Sequence, residues 1–195
     1  MTDKLERYRS KRDFQKTAEP SGEGQADGGR RFVIQKHDAR SLHYDLRLQV
    51  GDVLVSWAVP KGPSTDPSDK RLAVQTEDHP LDYVDFEGVI PEGEYGAGTV
   101  LVWDQGTYRN LRADKDDAKD MQTSLDDGLV EVWLDGEKLS GGYALKRIRD
   151  GDKPQWLLIK MDDEWADARR RPTSTEPESV KSGRDLDEIA GRQDD

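Results

Sequence analysis

Cysteine is absent from this 195-residue chain, and aromatic residues make up only 7% of it. Without a thiol, the chain forms no disulfide, thiolate zinc site, iron–sulfur cluster or cysteine nucleophile. Long apolar runs are missing too, since none approaches the ~18 residues that a membrane span needs. The opening Met-Thr-Asp-Lys also has no hydrophobic signal-peptide core. These absences predict a cytoplasmic protein with no membrane partner.

Basic charge is scarce as well, with 30 Lys and Arg against 41 Asp and Glu and a formal net charge of −11. That balance argues against a domain that binds nucleic acid through a broadly basic surface. The charge is uneven, however, because residues 1–47 are mildly basic and the remainder is acidic. The three histidines, His37, His43 and His79, fall within one short window. We therefore expect any anion-binding site to lie in this N-terminal part.

Short β-type segments fill the middle of the chain. About eight runs rich in β-branched and aromatic residues are separated by Gly, Pro and Asp turns, a pattern typical of a barrel or sandwich. The runs begin at Phe32, Leu42, Val53, Leu72, Gly98, Leu129, Gly142 and Trp156. One short helix is predicted within residues 113–125. We predict an all-β domain over residues 30–161, a small closed β-barrel of about eight strands with one short helix.

The two flanks of this domain have a different composition. Residues 1–29 are polar and end in a glycine-rich stretch, which predicts a leader arm followed by a flexible linker. Residues 162–195 are dominated by Asp, Glu, Arg, Ser and Pro, which predicts a solvated, disordered tail.

A metal site is predicted on the second β-type segment. Successive side chains of a strand point to opposite faces, so His43, Asp45 and Arg47 share one face while the apolar residues within 42–48 face the core. His37 lies across a short turn and can fold back to the same point. Two imidazoles and a carboxylate form a three-ligand metal set with open positions. The bland alternative is a solvated strand face with an ordinary Asp–Arg contact.

Phosphate chemistry is the next expectation. His79 precedes Pro80 at the end of a strand, where reactive residues are often presented, and Tyr83 follows four residues later. An arginine beside a metal offers a donor fork for phosphate, and a histidine can contact an oxyanion or a leaving oxygen. The glycines of residues 93–98 are interpreted as a tight loop rather than a phosphate loop, because a strand follows them instead of a helix.

Four motifs carry a resemblance to a known family. They are Gln35-Lys-His-x5-His-Tyr-Asp-Leu-Arg-Leu, Ser56-Trp-Ala-Val-Pro-Lys-Gly-Pro-Ser, Asp78-His-Pro-Leu-Asp-Tyr-x2-Phe-Glu-Gly-x-Ile-Pro-x-Gly-x-Tyr-Gly-Ala-Gly-Thr-Val-x-Val-Trp-Asp, and Leu5-x2-Tyr-x3-Arg-Asp-Phe-x2-Thr-x-Glu-Pro20. Together they closely resemble the 3′-phosphoesterase domain of bacterial DNA ligase D, which trims 3′ ends in non-homologous end joining. The resemblance spans nearly the whole chain.

The resemblance implies a metal-dependent enzyme that removes a terminal 3′ ribonucleotide and then the remaining 3′-phosphate, leaving a 3′-hydroxyl. It implies Mn²⁺ as the cofactor, with Co²⁺ or Zn²⁺ as alternatives. The site residues it implies fall into five groups: the metal ligands His37, His43 and Asp45; the catalytic Arg47, His79 and Tyr83; the phosphate contacts Arg47, Lys61, Arg71 and His79; the auxiliary Gln35 and Glu77; and, for ribonucleotide removal, Arg12, Asp13 and Glu19. The leader, residues 1–20, is therefore expected to dock at the site.

The resemblance also implies partners. DNA 3′ ends are the expected substrates, and the absence of a Lys-x-Asp-Gly ligase motif predicts a stand-alone enzyme that recruits a ligase or Ku-type protein in trans. A monomer associated with the nucleoid is expected. The acidic total predicts weak, salt-sensitive affinity for duplex away from the end.

Two other functions remain open from the residues. A cupin-like non-haem metal oxygenase also uses a His/carboxylate set on a β-barrel, although its usual His-x-His pair is absent here. A non-catalytic DNA-end-binding module would use the same basic residues to hold a phosphate without cutting a bond.

Overall fold

The computed structural model describes residues 3–24 and 26–191. The elements in these ranges are α1 (Glu6–Ser10), β1 (Arg31–Asp38), β2 (Leu42–Val50), β3 (Val53–Val59), β4 (Arg71–Gln75), β5 (His79–Pro80), β6 (Gly88–Ile90), β7 (Gly98–Asn110), α2 (Met121–Asp127), β8 (Leu129–Gly136), β9 (Ser140–Arg149), β10 (Gln155–Lys160), α3 (Pro172–Thr175) and α4 (Leu186–Ile189), with 3-10 turns at Leu81–Asp85 and Leu111–Asp114. No helix within the described ranges has the length and apolarity needed to cross a membrane.

Eight strands close into an antiparallel barrel. They follow the order β1-β2-β3-β4-β10-β9-β8-β7, and β7 pairs back onto β1. The short strands β5 and β6 lie outside this ring, paired with β3 and β7. Closure gives every strand of the ring a neighbouring strand on both sides. The all-β prediction of a closed barrel of about eight strands is therefore confirmed, and each predicted run forms one strand of the ring.

The barrel interior is filled by every second residue of these strands. On β2, Tyr44, Leu46 and Leu48 are 5%, 3% and 0% exposed, and they pack with the large buried rings of other strands. His43, Asp45 and Arg47 alternate with them on the outer face, as the period of two requires. Leu42 departs from the predicted pattern: it is 46% exposed at the start of the strand.

A second apolar layer covers part of the outer face. It joins residues of β1, β3 and β7 to the leader helix and to the 3-10 turn after β5; its members are Tyr8, Val33, Leu54, Leu81, Tyr83, Val84, Phe86, Ile90, Val100 and Val102. The functional side chains of β1 and β2 are thus enclosed between the barrel wall and this layer instead of being solvated.

The internal helix is shorter than the sequence indicates. Residues 113–120 form the end of a 3-10 turn and a loop, and α2 begins only at Met121. The Asp120 carboxylate accepts from the Thr123 N–H as the N-cap, and Gly128 ends the helix in a left-handed conformation, φ 78°.

Both flanks pack on the barrel, which differs from the expectation for the tail. The Trp103 Nε1–H donates to the Glu176 carbonyl at 2.8 Å, and the Val180 N–H donates to the Val102 carbonyl at 2.9 Å. Val102 lies where the second edge of β7 is unpaired between β6 and β8, so the tail supplies a missing partner. Composition alone concealed this because the attachment combines hydrogen bonds to backbone carbonyls with only a few scattered apolar side chains, Val180, Leu186 and Ile189.

Candidate active site

The β1–β2 hairpin assembles the central cluster. Its register places His37 opposite His43 and Gln35 opposite Asp45. Asp45 Oδ2 lies 3.6 Å from His37 Nδ1, 3.3 Å from His43 Nε2 and 3.5 Å from an Arg47 terminal nitrogen. A short turn between two strands therefore brings side chains six residues apart to a single carboxylate.

The donor set of this cluster fits a metal ion. One ligand atom each of His37, His43 and Asp45 lies within 4.8 Å of the others. His37 Nε2 faces the Gly96 carbonyl at 2.7 Å and His43 Nδ1 faces the Ser41 carbonyl at 3.1 Å. Because a carbonyl only accepts, these nitrogens carry the hydrogens. The lone pairs of the other two nitrogens then converge on the carboxylate, an arrangement that requires a cation or a proton between them.

Charge keeps Asp45 ionised. Burial alone would raise its pKa, but the charge of Arg47 and the hydrogen bonds to His37 and His43 hold that pKa well below its ordinary value. Burial lowers the pKa of His43, and the hydrogen bond and charge of Asp45 outweigh it, so the pKa of His43 is raised. A proton and a metal ion thus compete for the same position next to Asp45.

Arg47 is held rigidly with one nitrogen free. The side chain is 4% exposed, its Nε–H donates to Gln35 Oε1 at 2.7 Å, and its guanidinium carbon lies 4.8 Å from the Tyr83 ring centroid. Gln35 is itself fixed, because its amide donates to the carbonyls of Tyr83 and Phe86 at 2.8 and 3.0 Å. The Arg47 Nη1 atom is buried without a hydrogen-bond partner in the described residues. Such an orphaned charged donor is costly, and an anion would satisfy it.

His79 lies in the same cavity in its neutral form. Its Nδ1 faces the Glu77 carbonyl at 2.9 Å and therefore carries the hydrogen, so Nε2 accepts from Arg12 Nη2 at 3.4 Å. Burial, together with the charges of Arg47 and Arg12, holds the pKa of His79 well below its ordinary value. Protonation of Nε2 therefore needs additional negative charge, such as that of a phosphate.

The leader forms one wall of the site. Arg12 pairs with Glu19 at 3.0 Å and with Glu77 at 3.5 Å, and its guanidinium carbon lies 3.9 Å from the ring centroid of Tyr8. The Tyr83 hydroxyl donates to Glu19 Oε1 at 2.8 Å. Tyr8 is completely buried in the second apolar layer and anchors α1 there.

A cavity of about 850 Å³ connects these groups. Nine of the residues predicted from the sequence line it: Arg12, Glu19, His37, His43, Asp45, Arg47, Glu77, His79 and Tyr83. Gln35 lies directly behind Arg47.

Besides Gln35, three predicted residues lie outside the lining. The Asp13 side chain is 47% exposed and pairs with Lys16 on the surface. Arg71 pairs with Asp69 at 3.4 Å, and Lys61 is exposed in the loop after β3. The motif match places them in the chain, but their side chains do not reach the cavity in this structure.

Sequence reasoning missed several residues of the site. Tyr8, Lys11 and Tyr95 were given no role, although Tyr8 supports Arg12 and Lys11 pairs with Glu77 at 3.2 Å. The spacing of Tyr8 and Arg12 places them one turn apart, which was the available signal. Tyr95 lines the cavity from the glycine-rich loop, and no pattern in the sequence indicated that the loop turns toward the histidines.

The ionised carboxylate of Asp78, next to His79, is predicted to lower the stability of the protein at neutral pH. Burial raises its pKa to about 6. A raised carboxyl pKa penalises the ionised form, so the free energy of unfolding falls as pH rises from about 4 through about 6. We expect Asp78→Asn to stabilise the protein by about 2 kcal/mol at pH 8, roughly 5 °C in Tm, and to change little at pH 4. Thermal melts at both pH values measure this, with Asp117→Asn, at an exposed aspartate of the loop before α2, as the control. Equal shifts at both pH values would contradict the assignment.

Fold and site together define a class: a small β-barrel with a His–His–Asp cluster suited to a divalent ion, beside a buried arginine with a free donor. Known proteins of this kind match the chain. A family model of the DNA ligase D 3′-phosphoesterase domain matches residues 35–147. The chain belongs to this family.

Its relatives are longer proteins. The chain is 50% identical over 188 residues to the multifunctional non-homologous end joining protein LigD of Pseudomonas aeruginosa, covering 93% of this chain and 22% of that protein. It is 46% identical over 166 residues to the multifunctional non-homologous end joining DNA repair protein LigD of Mycobacterium tuberculosis, covering 84% of this chain and 20% of that protein. The chain therefore spans about a fifth of the length of these relatives.

Proposed function

We propose that the protein is a divalent-metal-dependent phosphoesterase that processes DNA 3′ ends, removing a terminal 3′ ribonucleotide and then the 3′-phosphate to leave a 3′-hydroxyl for ligation. The observation that carries the proposal is the convergence on Asp45 of two imidazole lone pairs and a buried guanidinium whose Nη1 has no partner in the described residues. Family membership supports the same reaction class.

His37, His43 and Asp45 would hold the ion, with Mn²⁺ as the expected species and Co²⁺ or Zn²⁺ as alternatives. When bound, such an ion supplies Lewis-acid stabilisation of phosphate oxygens and lowers the pKa of a coordinated water. Coordination would require an ionised Asp45 and no hydrogen on the imidazole nitrogens that face it.

Arg47 would bind the phosphate itself. Arg47 lines the cavity with Nη1 unpaired within the described residues, and Gln35 with the Tyr83 ring prevents the guanidinium from turning away. A donor fixed in this way stabilises the charge that develops on the phosphorus oxygens without having to reorganise.

His79 would act as the second phosphate contact. Its Nε2 has a lone pair in the free protein, and the incoming negative charge opposes the two guanidiniums that keep it neutral. Protonated Nε2 could then donate to a phosphate oxygen or to the leaving oxygen. Ser41 is the one serine of the cavity lining, and within the described residues its hydroxyl has no hydrogen bond to a base that would activate it, so direct attack by water is the mechanism we infer.

A non-catalytic module that only binds DNA ends would use the same arginine. The converging lone pairs favour the enzyme, because holding a phosphate needs cations alone, whereas this cluster provides ligands for a metal. A cupin-like oxygenase is disfavoured, because its usual His-x-His pair is absent and the buried Arg47 favours an anionic substrate.

DNA 3′ ends are the proposed partner, with an end-joining ligase or Ku-type protein acting alongside. The names of the relatives place them in non-homologous end joining, and a 3′-hydroxyl is the end that a ligase requires.

The leader is predicted to matter most for ribonucleotide removal. Arg12 reaches the cavity from outside the metal cluster, where the nucleoside of a terminal ribonucleotide would extend. We expect Arg12→Ala to slow that step at least tenfold and phosphate removal less than threefold, in single-turnover assays with the two ends. Arg7→Ala, at an exposed arginine of the same leader, is the control. Equal losses in both steps would refute a selective role.

A primer–template with a 3′-phosphate or a single 3′ ribonucleotide tests the proposal directly. Incubation with Mn²⁺ should convert both to a 3′-hydroxyl end, resolved on a denaturing gel and confirmed by extension with a polymerase. Binding of the end without any product would identify a non-catalytic module. Oxygen consumption with iron(II) and unchanged DNA would identify an oxygenase.

A further inference from the structure

Tyr95 is a large side chain at the cavity that remains accessible. It is 45% exposed, whereas Tyr83, the other tyrosine of the lining, is 2% exposed and committed to Glu19. The lining residues near Tyr95 in the chain are small or apolar, namely Ile90, Gly93, Gly96 and Ala97, with Glu94 as the one charged residue among them. The cavity thus has a charged wall and an apolar wall with an open aromatic ring. This combination suits a nucleotide, which has an anionic phosphate and a flat base.

The loop of Tyr95 is fixed next to the metal-binding cluster. The adjacent Gly96 carbonyl accepts from His37 Nε2 at 2.7 Å. The turn is closed by the Glu94 N–H on the Pro91 carbonyl at 3.2 Å and by the Ala97 N–H on the Glu94 carbonyl at 3.1 Å. Gly96 has φ 74°, a left-handed conformation that other residues rarely adopt. The backbone that presents Tyr95 is therefore fixed relative to His37.

Two leader cations already lie over this ring. Lys11 Nζ is 4.7 Å and the Arg12 guanidinium carbon 5.3 Å from its centroid. These contacts hold the leader against the loop, and we call them the leader–loop latch, but they leave nearly half of Tyr95 exposed. Cations beside an aromatic platform are also what single-stranded nucleic-acid sites use, since they hold the phosphate while the ring holds the base.

We propose that Tyr95 is a substrate-binding residue that stacks on the base of the nucleotide whose 3′-phosphate lies at the metal cluster. The inference rests on the proposed function and adds how the end is recognised. Stacking tolerates any base because every base has a π-face, so the site would accept DNA ends regardless of sequence.

Two primers of equal sequence test the proposal, both ending in a 3′-phosphate and differing only in whether the terminal nucleotide has a base or is abasic. With the normal primer, Tyr95→Ala should raise KM about tenfold and change kcat less than twofold. With the abasic primer, the wild-type protein should show that raised KM already, and Tyr95→Ala should add nothing. Trp165→Ala, which removes a 51% exposed aromatic ring of the tail, should leave both KM values unchanged.

Tyr95→Phe separates stacking from the latch. It retains the ring but loses the hydroxyl that contacts Lys11 Nζ at 3.4 Å, so KM should stay within twofold of wild type. The proposal would be overturned if Tyr95→Ala raised KM by the same factor on both primers. It would also be overturned if Tyr95→Phe raised KM on the normal primer as much as Tyr95→Ala does. If wild-type protein releases no phosphate, the proposed function fails. Stacking can still be tested by the fluorescence of a terminal 2-aminopurine. Quenching by the wild type but not by Tyr95→Ala would support stacking, and equal quenching by both would contradict it.

Discussion

Asp45→Asn should lower phosphate release from a 3′-phosphate primer at least a thousandfold, about 4 kcal/mol of activation free energy. The amide has the size of the carboxylate but neither its charge nor its affinity for a divalent ion. The side chains of His37, His43 and Arg47 also converge on one oxygen of the Asp45 carboxylate, so the charge of Asp45 orients all three. The kcat is measured at saturating Mn²⁺ and again across a Mn²⁺ titration.

Asp38→Asn provides the matched control, because Asp38 belongs to the same β1–β2 hairpin and lies outside the cavity lining. It should retain wild-type turnover. Circular dichroism of both variants checks that the barrel has formed. Turnover of Asp45→Asn at the wild-type rate in chelator-treated buffer would contradict the metal assignment.

Arg47→Lys should reduce kcat/KM about a hundredfold or more while Mn²⁺ binding is retained. An ammonium cannot donate to Gln35 and to a phosphate oxygen from one plane, nor lie over the Tyr83 ring as the guanidinium does. Inorganic phosphate should raise the Tm of the wild-type protein, since it satisfies the orphaned Nη1, and should raise that of Arg47→Lys much less.

Arg109→Lys is the control for this change, because Arg109 lies over the Trp133 ring on an exposed part of the barrel. Its kinetics and its response to phosphate should equal those of the wild type. A variant Arg47→Lys with unchanged kcat/KM and an unchanged phosphate shift in Tm would show that Arg47 does not hold the phosphate.

The sequence alone predicted the barrel and the centre of the site. A period of two along β2 determines that His43, Asp45 and Arg47 share a face, and a short turn forces His37 opposite His43. These are local consequences of strand geometry, so they needed no knowledge of tertiary contacts. The eight ring strands were found for the same reason.

Contacts between distant segments were not predictable in this way. The role of Tyr95 depends on a loop that folds over β1. The tail attaches to the barrel through backbone hydrogen bonds and a few apolar side chains that are too scattered to stand out in its polar composition. The leader was placed at the site only through the resemblance, because its polar residues 1–29 would otherwise indicate an arm in solvent. For Lys61 and Arg71 the motif match predicted a place in the site that their side chains do not reach, because a match gives a position in the chain and not the direction of a side chain.

Phosphate release as a function of Mn²⁺ equivalents is the most direct measurement. Protein stripped with chelator should be inactive on a 3′-phosphate primer, and activity should rise linearly and level off at one equivalent of Mn²⁺. The wild type should show this plateau, and His43→Ala should show no rise over the same range. Full activity of the stripped protein, or a His43→Ala titration that matches the wild type, would contradict a metal-dependent phosphoesterase at this cluster.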